Sequence, residues 1–284
     1  NLFFVIVCKL DVAGVALASI LSQYLSAFLI LFSLFRSNDI FCLRFSRLKP
    51  DKDKTRQVLV LGVPAGLQNI IFAIANLFIQ KAVNSFDHVT VEGIVAAQNA
   101  DPLIYDVLAA FYMACSSFIG QSFGQKNKKM ILHSYFISLL YSFALGAFLG
   151  LGLAKFYRVF LGIFTSSDAV IEAGRYRLQV MGVSYMVSVF MDCTIAASRG
   201  LGKTVIPTIF VILGSCVFRI LWIYTVFRRF GTLTSLFLLY VFSWTITAIS
   251  EAIYFLIVYR KTTKDFPSRP ETPEEILSGS SVHN

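Results

Sequence analysis

The sequence predicts an all-α polytopic membrane protein with about seven transmembrane helices, and two observations predict it. The first is composition. The 284 residues are 56% hydrophobic and only 14% charged, with a mean hydropathy of +0.70, whereas a soluble domain carries about a quarter charged residues. The second is that the apolar residues come in blocks, and a bilayer crossing needs about 20 of them in a row. The blocks are 12–35, 58–83, 93–123, 131–153, 178–198, 204–227 and 233–259. Backbone groups in hydrocarbon must find their hydrogen bonds inside the segment, so these blocks read as helices and not strands.

The formal charge of +9 is placed to orient spans, not to hold nucleic acid. Alternate joins are rich in Lys and Arg. The join 36–57 holds Arg36, Arg44, Arg47, Lys49, Lys52, Lys54 and Arg56. Further on come Lys126, Lys128 and Lys129, then Arg199 and Lys203, and at the end Arg260, Lys261, Lys264 and Arg269. The intervening joins offer Lys81, then Lys155, Arg158, Arg175 and Arg177, then Arg228 and Arg229. Sixteen bases against seven put the rich side, with the C-terminus, in the cytoplasm.

The stretch Ile119–Lys129, IGQSFGQKNKK, joins two spans. Its lysines fix that helix end on the cytoplasmic side, and its two glycines are expected to allow a tight reversal. The longest polar join, 36–57, mixes bases and acids with Phe41 and Phe45, as a surface amphipathic piece or a solvated linker would. The tail beyond Lys261 is rich in Pro, Ser and Glu and is expected to be disordered. Ser166-Ser167-Asp168 signals the start of a helix near Ala169.

Five cysteines (Cys8, Cys42, Cys115, Cys193, Cys216) form no CxxC pair and read as inert core thiols. His88, His133 and His283 show no metal-ligand spacing. No bound cofactor is expected. The chain opens NLFFVIVC without an initiator Met, and this short apolar run reads as the end of a helix begun upstream, so the sequence is expected to be a fragment.

Polar residues inside the spans fall into stripes at 100° per residue. Asn69, Asn76 and Gln80 share a face of the second span. Gln98, Asp101, Tyr105, Tyr112 and Ser116 share one of the third, which Pro102 is expected to bend. Tyr185, Ser188 and Asp192 align in the fifth; Thr208, Ser215, Arg219 and Trp222 in the sixth; Ser243, Thr247, Ser250 and Tyr254 in the seventh, with Glu251 at the edge. One such residue is ordinarily interhelical glue. Five striped helices together predict a water-filled cavity, lined by Asn69, Asn76, Gln80, Gln98, Asp101, Tyr105, Tyr112 and Tyr185. Asp192, Arg219 and Glu251 lie deep in spans, where a lone charge costs at least ~2.5–3.5 kcal/mol. They are candidates for ion coupling, or for a structural ion pair of Arg219 with one of the acids.

Several motifs, taken in order, resemble the multidrug and toxic compound extrusion (MATE) transporters. They are Gly14-Val15-Ala16-Leu17-Ala18 to Gln23, Gly62-Val63-Pro64-Ala65-Gly66-Leu67-Gln68, Ala96-Ala97-Gln98, Gly120-Gln121-Ser122-Phe123-Gly124, Arg199-Gly200-Leu201-Gly202-Lys203 with Pro207, and Phe218-Arg219-Ile220-Leu221-Trp222. They cover residues 12–260 and are most similar to the bacterial multidrug-export and DNA-damage-inducible branch. The resemblance implies a twelve-helix fold of two six-helix lobes. On that plan residues 1–35 end the first lobe, 36–57 link the lobes, 58–260 form the second lobe, and 261–284 are the cytoplasmic tail. It also implies that the glycine-glutamine motif, with Gln121, is a tight cytoplasmic corner of a rocking lobe, its amides able to cap neighbouring helix ends. Some branches carry a cation-binding acid on the first helix of the second lobe; here Gln68, Asn69, Asn76 and Gln80 stand there.

The implied function is secondary active efflux from a bacterial inner membrane: amphipathic or cationic compounds leave in exchange for protons or sodium, by a protein that is monomeric when full length. The alternatives are a lipid-linked oligosaccharide flippase of the same superfamily, which would need a more cationic cavity, and a non-transporting fragment. An enzyme is not expected, because no nucleophile–base pair or phosphate loop is visible; Gly200-Leu201-Gly202-Lys203 lacks the spacing of one.

Overall fold

A computed structural model describes Phe4, Lys9 and residues 11–36, 51–264 and 266. The proposed surface piece within 36–57, the tail beyond Phe266, and Cys8 and Cys42 lie outside them. The elements are α1 (Asp11–Arg36), α2 (Lys52–Val83), α3 (His88–Gln98), α4 (Ala100–Gly124), α5 (Lys128–Lys155), α6 (Tyr157–Leu161), α7 (Asp168–Gly200), α8 (Val205–Val211), α9 (Phe218–Trp222), α10 (Arg228–Phe230) and α11 (Leu233–Thr262). Two π-helical stretches, Ile212–Val217 and Ile223–Phe227, flank α9, so that 205–230 reads as one interrupted rod. Seven of these helices or rods are long and apolar enough to cross a membrane.

The chain forms two units, 1–56 and 57–284. In the first, α1 carries exposed apolar side chains such as Leu21, Phe28 and Phe32, as a helix bathed in lipid would. The second is built around α7, which packs against α3, α4, α5 and α11 and buries far more of its apolar core than α2 does. The most intimate contact is glycine on glycine. A Cβ on Gly182 of α7 would stand 2.5 Å from the Gly150 carbonyl oxygen of α5, and one on Gly174 would stand 2.6 Å from that of Gly93 in α3. Small residues let membrane helices approach until their backbones touch.

That packing makes a signed prediction. Gly182→Ala is expected to destabilise the protein by about 1–3 kcal/mol, because the backbone opposite cannot retreat. Gly152→Ala, on α5 with nothing within 4 Å, is expected to be neutral or to stabilise by up to about 1 kcal/mol through helix propensity. Thermal unfolding in detergent measures both; equal shifts would contradict the packing.

Three local readings change. The reversal at 125–127 does not use glycine: Lys126 takes the left-handed conformation (φ 53°), and Asn127 Oδ1 caps α5 by accepting from the Met130 amide at 3.1 Å. Gly120 and Gly124 are helical, and the Gln121 amide donates to Ser117 Oγ of its own helix at 3.5 Å instead of capping a neighbour. The third span breaks at Asn99. Pro102 sits in the first turn of α4 and has no N–H to bond the Gln98 carbonyl, so the ladder is interrupted one turn upstream. Asp87 caps α3; hydrogen bonds from the Thr90 hydroxyl and amide hold its carboxyl below the usual range.

Candidate functional site

Two of the cavities beside α7 carry charged side chains. The larger, of about 660 Å³, is walled by α2, the end of α3, α4, α7, α9 and α11 and lined by Asn76, Gln80, Gln98, Asp101 and Tyr105, with Phe72, Arg177, Asp192, Arg219, Tyr240 and Trp244. The smaller, of about 340 Å³, is lined by Gln68, Tyr112, Ser116, Asp192 and Arg199 among others. Asp192, half-buried in the middle of α7, is the side chain common to these two linings. Among the described residues it forms no ion pair, and the charges acting on it are Arg199 and Arg219.

The other sequence candidates divide. Asn76, Gln80, Gln98, Asp101 and Tyr105 line the larger cavity and Tyr112 the smaller. The Gln98 amide donates to Gln80 Oε1 at 3.4 Å, and that of Gln80 to Asn84 Oδ1 at 2.9 Å. Tyr185 is buried behind the cavity wall and donates its hydroxyl to Asp101. Asn69 lies exposed, outside both cavities, because the first half of α2 stands away from the α7 core. Its neighbour Gln68 turns inward instead: Arg199 Nη2 donates to Gln68 Oε1 at 2.9 Å. Glu251 is fully buried in α11, off both cavities, with no hydrogen-bond partner for either carboxylate oxygen. Ser215 and Thr247 hydrogen-bond to each other at 3.0 Å, so the stripes of the last two spans serve in part as glue.

Arg177, assigned by sequence to an outer join, lies within α7 and is 1% exposed. Its Nη2 meets Asp101 Oδ2 at 2.6 Å, its Nη1 meets Asp101 Oδ1 at 3.1 Å, and Nη1 also reaches the Ala97 carbonyl at 3.2 Å. The apolar block starts at Leu178, but the helix starts at Asp168, with Ser167 at the N-cap position. The signal that could have found it was the Ser166-Ser167-Asp168 start, which puts Arg177 in the third turn of the helix, two turns before Tyr185. Arg177 is therefore a second deep base beside Arg219. Arg219 does not pair with Glu251 or Asp192: its Nε donates to Ser243 Oγ at 3.1 Å, and its guanidinium carbon lies over the rings of Tyr240, Trp244 and Phe72 at 4.5, 5.4 and 5.6 Å.

A central small-residue-packed helix, polar cavities between spans and a carboxylate shared by two of them define a multi-pass helical membrane protein with an intramembrane polar site. The MatE family model matches residues 64–225, more than half of the chain, and the chain belongs to that family. It is 24% identical over 206 residues to a probable multidrug resistance protein NorM of Thermotoga maritima, covering 71% of this chain and 43% of the relative. It is 30% identical over 128 residues to a probable multidrug resistance protein YpnP of Bacillus subtilis, covering 45% and 28%. The chain thus spans less than half the length of either relative. An outward-facing multidrug resistance MATE family transporter of the MOP superfamily superposes with a TM-score of 0.81 at 20% identity, covering 92% of this chain and 59% of that one; at that identity the likeness shows the fold.

Proposed function

We propose that this chain supplies the second lobe, with the end of the first, of a secondary transporter that exports amphipathic or cationic compounds from a bacterial cell in exchange for protons or sodium. Its C-terminus lies in the cytoplasm, on the side of the basic joins. The observation that carries the reading is Asp192: one carboxylate lines both cavities, so a single ionisable group can be served from either. Intramembrane acids free of a structural partner mark ion pathways, and alternating access moves such a group between the two sides. The larger cavity is in the size range of drug-sized ligand sites, about 300–1,000 Å³. Its aromatic walls, Phe72, Tyr105, Tyr240 and Trp244, accept flat apolar or cationic bodies with little directional demand.

The full-length transporter that contains this chain, once reconstituted, is expected to drive a fluorescent cationic dye across the membrane when a proton or sodium gradient is imposed, and to stop when the gradient is collapsed. Dye binding without gradient-driven flux would contradict the assignment.

A further inference from the structure

The charges of the larger cavity do not cancel locally. Asp101 is taken twice over, by the fork of Arg177 and by the Tyr185 hydroxyl. That leaves Asp192 and Arg219 on the same cavity wall, each feeling the other's charge but neither in an ion pair among the described residues. Arg219 is 2% exposed, and buried charges are ordinarily paired. Yet among the described residues no acid pairs with it, and its Nη2 has no hydrogen-bond partner. The three rings around it stabilise the positive charge, but none is an anion. Among the described residues its one hydrogen bond, to Ser243, uses Nε. It stands in α9, between two π-helical interruptions of the rod, and such interruptions recur at functional sites.

A planar guanidinium held by rings, with its terminal nitrogen unsatisfied, is suited to a carboxylate, sulfonate or phosphate. We propose that Arg219 is an anion-binding pole of the larger cavity, so that the compounds bound there include amphipathic acids and zwitterions. The acid end of such a molecule meets Arg219, its apolar body lies against Tyr105, Tyr240 and Trp244, and a cationic end, where present, faces Asp192. The proposal rests on the transporter reading for the meaning of binding, but binding itself is measured without any flux.

The test is equilibrium dialysis of purified protein in non-ionic detergent with 2-naphthoate, 2-naphthalenesulfonate and uncharged 2-naphthamide. Wild type is expected to hold the two anions at least about tenfold more tightly than the amide, the worth of one charge-assisted hydrogen bond. Arg219→Gln is expected to bind all three alike, with amide affinity unchanged. Should Arg219→Gln lose the amide as well, Arg219→Lys decides: it keeps the charge but not the fork, and its anion preference should fall to about threefold. Equal binding of anion and amide by wild type, or a full preference surviving in either variant, overturns the proposal. Competition by lysophosphatidylglycerol would assign the pole to a lipid headgroup, and its absence to a soluble acid; both outcomes keep the anion site. Anion binding with no gradient-driven flux would count against the transporter reading alone, and flux with no anion preference against this proposal alone.

Discussion

Asp192→Asn is expected to abolish gradient-driven export while weakening drug binding by no more than about tenfold, the worth of one ordinary hydrogen bond. The amide is nearly isosteric and makes no new demand on packing, and among the described residues Asp192 holds no ion pair whose loss would expose a partner. What it loses is the ability to exist with and without a bound cation. Asp192 lines both cavities, so a neutral side chain there leaves no carboxylate passing between them. Binding and flux should therefore separate in this one variant. A variant that exports normally, or that fails only because it unfolds, would remove Asp192 from the coupling step.

Arg177→Met is expected to cost about 3 kcal/mol of stability, the lower end of the range for breaking a buried ion pair. The lower end applies because Asp101 keeps 28% of its side-chain surface open to the cavity and can recruit water. The Ala97 carbonyl loses a donor in the same stroke, and Tyr185 is left alone against the carboxylate. For a protein of this size the loss is a fall in Tm of roughly 6–12 °C. Arg177→Met combined with Asp101→Leu removes the stranded charge together with its partner and should recover more than half of the loss. Simple additivity of the two substitutions would show that the pair is not the unit the geometry makes it.

The seven spans were legible because the bilayer imposes a length and a composition on each, and block lengths report both directly. The cavity was legible as stripes, since Asn76, Gln80, Gln98 and Tyr105 share faces by helical period alone and meet at one cavity. What period cannot give is which way a helix leans: Asn69 keeps the angle of Asn76, yet lies exposed where α2 stands away from the core. Nor can it choose partners. Arg219 had two acids within reach by sequence and took aromatic rings and a serine instead, while Arg177, outside the apolar block, took Asp101. Hydropathy marks where a chain meets lipid, and α7 meets mostly protein, so its polar first turns belong to the helix although the apolar block does not include them. The turn at Lys126 escapes for a simpler reason: glycines lie nearby, but the left-handed residue is Lys126, beyond Gly124 and Gln125.

The central claim is that one carboxylate, Asp192, answers to both ion and substrate. It is tested most directly by measuring drug affinity for purified protein as the coupling-ion concentration rises, in wild type and in Asp192→Asn. Linkage requires that an ion and a drug competing for the same state weaken each other equally. Wild-type affinity should therefore fall as protons or sodium are added, and the Asp192→Asn affinity should stay flat. An equal fall in both proteins would place the coupling group elsewhere.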